Sequence, residues 1–284
     1  MVETKKSKFI DVENVIAGKN PGLLKILPRF ILSYIKKVLH EDEVNDFISR
    51  QGDKYDIAFA NEIIKEFGVT IISTGKENIP KTGGIVLASN HPLGGVDGVA
   101  LIKMIGEVRP DIKFFANDIL MNIKNLSGVF VPVNKHGRHS SENIATIEKM
   151  YRSDYAIPIF PAGLVSRKQS GVIKDLEWKK SFVTKSREYK RNIIPVYVDG
   201  QNSDFFYNLA LWRKRLGIKV NIEMFYLVDE MYKQKNKTIN IVFGKPIPYT
   251  IFERRHTFTD YQWAQKVKEH VYALKSGNKT KLLV

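Results

Sequence analysis

The residues best suited to chemistry in this chain are His91 and Asp97, in the run Ile85-Val-Leu-Ala-Ser-Asn-His-Pro-Leu-Gly-Gly-Val-Asp97. A neutral imidazole can take a proton from a hydroxyl. A carboxylate bonded to its other nitrogen fixes the tautomer and steadies the cation that forms. Five residues separate the two, enough for a tight loop to bring the side chains together. The same residues have plainer uses: Asp97 as a helix N-cap, Gly94-Gly95 as a turn, His91 as a hydrogen-bonded structural histidine.

Position favours the chemical use. The apolar residues before Ser89 read as a buried strand and those after Asp97 as a helix, so the histidine lies on the loop at the carboxyl end of a strand, where α/β folds place ligands. Three later segments have similar form. Gly128-Val-Phe-Val-Pro-Val-Asn-Lys135 is a strand ending in a basic residue. Phe160-Pro-Ala-Gly-Leu-Val-Ser-Arg167 is a strand end and tight turn leading to Ser166, Arg167 and Lys168. Ile193-Ile-Pro-Val-Tyr-Val-Asp-Gly200 is a strand interrupted by Pro195.

The elements needed to position these loops are legible as an alternation. Short β-branched or apolar runs at 69–72, 84–88, 113–116, 128–133, 156–160, 193–198 and 238–243 are bounded by turn residues. Helical spacing falls between several of them, at about 99–105, 141–151, 179–189 and 205–216. Strands alternating with helices predict an α/β sheet covered by helices over 69–284. Residues 1–68 read as a helical N-terminal segment, with helices expected near 41–49 and 58–67.

Within that segment, Leu23, Leu27, Phe30, Ile31, Tyr34, Ile35 and Val38 share one helical face, with Lys25, Arg29, Ser33, Lys36 and His40 opposite. Pro28 kinks it or starts its second half. The pattern fits a helix lying in a membrane interface and equally a surface helix packed on a core.

Bulk properties bound the reading. The 284 residues, 43% hydrophobic and 26% charged, suit a folded body. No cysteine is present, which excludes disulfides, thiolate metal sites and a cysteine nucleophile. No apolar stretch reads as a secretory signal or a spanning helix. With Lys+Arg 45 against Asp+Glu 30 the net charge is +15, so a polyanion, nucleic acid or anionic lipid, is an expected partner. The charge is spread along the chain and no zinc, RRM or helix-turn-helix signature is evident, which argues against nucleic acid.

In order and wording the four segments between Asn90 and Gly200 resemble the glycerolipid (lysophospholipid) acyltransferase superfamily. Its blocks run NHxxxxD, a glycine-phenylalanine block ending in arginine, FPEGTRS, and an isoleucine-proline strand. The wording NHPLGG and FPAG is similar to the branch named for hemolysins, which also holds acyltransferases of ornithine and glycine lipids. Nothing in the sequence points to pore formation. The chain departs from the pattern at four places: one extra residue between His91 and Asp97, Ala162 in place of glutamate, Leu164 and Val165 in place of threonine-arginine, and Lys135 in place of arginine.

The resemblance implies an O-acyltransferase in which His91 is the base and Asp97 its orienting partner, with no serine nucleophile. It implies a thioester co-substrate, acyl-carrier protein or coenzyme A, a lysolipid acceptor, and no further cofactor or metal. Asn90, Gly94, Gly95, Lys135, Gly163, Ser166 and Arg167 become candidate substrate contacts, with backbone N–H groups near Gly163 or at the helix start as oxyanion donors. A peripheral place on the cytoplasmic face of the inner membrane follows. His136 and His139 read as structural or solvated, Glu142 being the nearby carboxylate. Trp212 beside Arg213, Lys214 and Arg215 suits headgroup level in a bilayer, and would suit a phosphate backbone. Residues 222–226 and 228–232 would line an acyl tunnel or serve as core. A hydrolase using the same pair, or a non-catalytic membrane-binding relative, is the competing reading.

Overall fold

The structure, a computed structural model, describes residues 8–116, 120–133, 141–253 and 258–276. Five helices come first: α1 (Val12–Lys19), α2 (Pro21–Ile26), α3 (Arg29–Val38), α4 (Glu41–Gln51) and α5 (Asp56–Glu66). The alternating body follows with β1 (Thr70–Thr74), β2 (Ile85–Ser89), α6 (Gly95–Gly106), β3 (Phe114–Ala116), β4 (Phe130–Pro132), α7 (Ser141–Arg152) and β5 (Ala156–Ile159). Then come β6 (Arg167–Gln169), β7 (Val172–Lys174), α8 (Ser181–Glu188), β8 (Asn192–Val198) and α9 (Asp204–Arg215). The chain closes with α10 (Leu227–Tyr232), β9 (Thr238–Phe243) and α11 (Asp260–Ala273).

The main sheet has the order β1-β9-β8-β2-β5. It is mixed, because β8 and β9 are antiparallel while β2 is parallel to both β5 and β8. Flanked on both edges, β2 is buried at every position. Alternation along it divides the core: Ile85 and Leu87 join the cluster under α5 and α6, whereas Val86 and Ala88 join the one under α8 and α11. A helical layer therefore covers each face, and the loop after Ser89 emerges at the carboxyl end of β2, an interior strand between β8 and β5.

Every expected strand is present, with ends shifted by a residue or two. The β6–β7 hairpin and α11 were not anticipated. A capping box starts α11: the Gln262 side chain accepts the Thr259 N–H at 2.9 Å, and the Thr259 hydroxyl accepts the Gln262 N–H at 3.3 Å. The helix buries Trp263, Ala264, Val267 and Val271, so apolar periodicity and cap were both in the sequence.

The N-terminal helices meet one expectation and depart from another. Pro28 starts the second half of the segment and does not kink one helix. It is the N-cap of α3 with extended ψ (139°) and separates α2 from α3. The single apolar stripe is also split. Val38 is buried with Ile31 and Ile35 partly so, while Ile26, Phe30 and Tyr34 face outward. Residue 68 marks the change from helix to strand, but the core runs across it: Phe47, Phe59, Ala60 and Ile64 share one cluster with Leu87 and Ile102. No helix among the described residues is long and apolar enough to cross a membrane.

Candidate active site

At the end of β2 the Asn90 side chain is buried and joins the main chain of β8. Its Nδ2 donates to the Val198 carbonyl at 2.8 Å and its Oδ1 accepts the Val198 N–H at 2.7 Å. An amide so used has little left for substrate, so Asn90 fixes where the loop leaves the sheet.

The next residue, His91, turns its Nδ1 to Asp97 Oδ2 at 3.0 Å. That oxygen also accepts the N–H groups of Leu93 (2.9 Å) and Gly94 (3.2 Å), and Oδ1 accepts Gly98 N–H at 2.8 Å. Asp97 is fully buried. It is the third residue of α6 and reaches back to the N-cap, so capping and orienting are done by one carboxylate and the two sequence readings merge. The extra residue in the loop is accommodated without separating the pair. With every donor directed at Asp97, Nδ1 carries the proton and Nε2 is left as the base; Nε2 has no hydrogen-bond partner among the described residues. The ring stacks on Phe160, centroids 3.8 Å apart and planes within 14°. The stacking restrains rotation and favours an imidazolium when it forms.

Gly94 and Gly95 have packing reasons to be glycine. Gly94 has φ +87°, and a Cβ there would lie 3.1 Å from the Leu227 side chain. At Gly95 a Cβ would meet Met231 sulfur at 2.9 Å. Helix α10 thus lies directly on the histidine loop. The Gly163 N–H closes the turn onto the Phe160 carbonyl at 2.9 Å, so that group is committed to the turn and is not an oxyanion donor. Ala162 is buried in the cluster with Trp178 and Phe182. The place where the resembling family has a carboxylate is therefore apolar packing in this chain.

Ser166 and Arg167 occupy structural positions. Ser166 N–H donates to the His91 carbonyl at 2.7 Å, and its hydroxyl donates to Asp175 Oδ1 at 2.5 Å. Arg167 is buried. Its guanidinium donates to Glu223 at 2.9 Å and to the Val165 carbonyl at 2.6 Å, and lies 5.1 Å from the Phe206 ring centroid. Arg213 Nε forms an ion pair with the other Glu223 oxygen at 2.9 Å. The Arg167 guanidinium, a candidate substrate contact in the sequence, is thus engaged within the protein. Burial pulls the Arg167 guanidinium down, and Glu223 opposes that pull. Lys135, His136 and His139 lie outside the described residues.

Sequence reasoning missed Asp175. The β6–β7 hairpin pairs Arg167 with Lys174, setting the flanking Ser166 and Asp175 opposite each other. Ser170 and Gly171 make the turn with φ of 47° and 83°. Besides Ser166, Asp175 accepts the His91 N–H at 3.2 Å and the Trp178 indole N–H at 2.8 Å. Its own N–H donates to the Tyr272 hydroxyl at 2.8 Å. Burial pushes the Asp175 carboxyl up, opposed by the bonds from Ser166, Trp178 and His91. The Ser-Gly turn signalled a hairpin, but nothing local marked this aspartate.

The chain is similar to known acyltransferases. A family model described as acyltransferase matches residues 14–280. A lyso-glycine lipid O-acyltransferase of Bacteroides thetaiotaomicron is 45% identical over 267 residues, which is 94% of this chain and 97% of that one. One from Phocaeicola vulgatus is also 45% identical, over 94% of this chain and 95% of its own. A 1-acyl-sn-glycerol-3-phosphate acyltransferase of Borreliella burgdorferi is 26% identical over 60% of this chain and 68% of its own. Among solved structures, the 1-acyl-sn-glycerophosphate acyltransferase PlsC of Thermotoga maritima covers 77% of this chain and 80% of its own, with TM-score 0.46 and 18% identity.

Proposed function

The chain belongs to this acyltransferase family and is an O-acyltransferase, and from that premise we propose that it acylates the hydroxyl of a lysolipid with an amino-acid headgroup, of the lyso-glycine lipid kind. The observation that carries the reading is the His91–Asp97 pair, bonded at 3.0 Å through Nδ1 with Nε2 left open.

In the step proposed, Nε2 takes the acceptor hydroxyl proton as that oxygen attacks the thioester carbonyl carbon. The tetrahedral intermediate expels the thiolate, which recovers the proton from Nε2. One ester and one thiol result, and His91 returns to its starting state. Asp97 steadies the imidazolium while it lasts. The balance calls for no cofactor beyond the thioester, whether acyl-carrier protein or coenzyme A supplies it. The N–H groups of Gly95 and Val96, in the first turn of α6, are the candidates for the oxyanion. A lipid acceptor is met at a membrane surface, and the outward edge of Ile26, Phe30 and Tyr34 beside Lys25 and Arg29 is suited to an anionic one.

A mass-spectrometric acyl-transfer assay tests the reading. Purified protein is offered both donors against lyso-aminolipids and lysophospholipids, with His91→Ala alongside. A His91-dependent diacyl aminolipid is the expected product. Diacyl phospholipid alone would reassign the acceptor, and free fatty acid released without any acceptor would reassign the reaction to hydrolysis.

A further inference from the structure

The segment leading from α9 to α10 carries surface chemistry that the reaction does not use. Helix α9 buries Phe206, Tyr207 and Ala210, and its spacing sets Phe205, Trp212 and the following Leu216 on an outward stripe. Trp212 is 60% exposed, Leu216 69% and Val220 71%. Between 205 and 222 the sequence has no acidic residue, while Arg213, Lys214, Arg215 and Lys219 fall there. Arg213 turns inward to Glu223. Lys214, Arg215 and Lys219 are exposed, and the Arg215 guanidinium lies 5.8 Å from the Trp212 ring centroid.

Two further contacts place this surface. The Tyr226 hydroxyl lies 3.0 Å from that of Tyr34, so the segment adjoins α3, whose Phe30 is 74% exposed. On the inner side Phe206 packs with Val165, Glu223 holds Arg167, and Leu227 lies on Gly94. The outer apolar stripe is thus backed by the residues that hold the His91 loop.

From these relationships we infer that residues 205–225 form a second interfacial anchor, for an anionic lipid surface, which sets the His91 loop against the bilayer. Exposed apolar side chains ringed by cations match the acyl boundary and the headgroups of such a surface. Two copies of this face would bring uncompensated positive charge together, and a nucleic acid would leave Leu216 and Val220 in water. The inference adds to the interfacial reading of α3 and does not depend on the identity of the acceptor.

The chain has three tryptophans; Trp178 and Trp263 are fully buried, so a change of emission on lipid binding reports Trp212. The full chain is mixed, without substrate, with phosphatidylcholine vesicles containing or lacking phosphatidylglycerol. Co-sedimentation, intrinsic fluorescence and quenching by brominated acyl chains are recorded. The expected result is a blue shift that requires phosphatidylglycerol, is quenched by bromine, and vanishes in Trp212→Phe although that variant still sediments. Leu216→Glu combined with Val220→Glu should weaken partitioning at least about tenfold with the circular dichroism spectrum unchanged. Sedimentation with Trp212 emission unmoved would overturn the inference and leave α3 as the anchor. No sedimentation at all would overturn both. A blue shift that grows with protein concentration in the absence of vesicles would assign the face to a second copy and overturn it too.

Discussion

The carboxylate of Asp175 accepts the backbone N–H of His91 at 3.2 Å across 84 residues of sequence, and the Ser166 hydroxyl shares the same oxygen at 2.5 Å. Two loops from different strand ends are thereby held by one buried acid, on the main chain of the histidine whose side chain Asp97 orients.

That arrangement makes a pH prediction. Burial raises the Asp175 carboxyl against the pull of its hydrogen bonds, so the folded protein holds this proton more tightly than the unfolded chain. Its contribution to stability is fully present below the unfolded value, about 3.9, and is lost as pH rises through the folded value. Thermal midpoints of wild type and Asp175→Asn, compared from about pH 4 to about pH 8, should show the wild-type advantage shrinking as pH rises. An advantage constant with pH would mean that the carboxyl is not raised.

Catalysis should depend on both members of the His91–Asp97 pair. His91→Ala is expected to lose about 10²–10⁴ in kcat with its thermal midpoint near that of wild type, since the ring is partly exposed. Asp97→Asn keeps an oxygen for the Leu93 and Gly94 N–H groups but loses the charge that steadies the imidazolium, so activity should fall by a similar factor. Single-turnover rates on a folded variant decide this. Undiminished turnover in either would sink the mechanism.

Asn90 should matter through the fold. Asn90→Ala leaves the buried N–H and carbonyl of Val198 without partners, a loss of about 2–5 kcal/mol. Urea unfolding measures it, and a midpoint equal to wild type would return Asn90 to the candidates for substrate contact.

For the Arg167–Glu223–Arg213 group, Glu223→Gln removes the carboxylate that pairs with two guanidinium groups in a buried setting. The expected destabilisation is about 3–5 kcal/mol, little changed by added salt because the group is shielded from solvent. A shift in KM for the acyl acceptor with stability untouched would instead restore Arg167 as a headgroup contact.

The sequence alone determined what local pattern can carry. Short β-branched or apolar runs bounded by turn residues specified the strands of the sheet, and the spacing of His91, the glycine pair and Asp97 specified a loop on which a base and its carboxylate could meet. The tertiary structure decided which polar groups remain available for chemistry. Asn90 and Arg167 had the right types for substrate contact, but Val198 and Glu223 engage them, and those partners lie on other elements. Asp175 shows the converse: an unremarkable aspartate after a hairpin becomes a support of the site because β6–β7 pairing sets it beside Ser166 and brings it to His91. Periodicity is a property of neighbours along the chain. The use of a side chain's hydrogen bonds depends on neighbours in space, and so it was fixed only when the sheet was assembled.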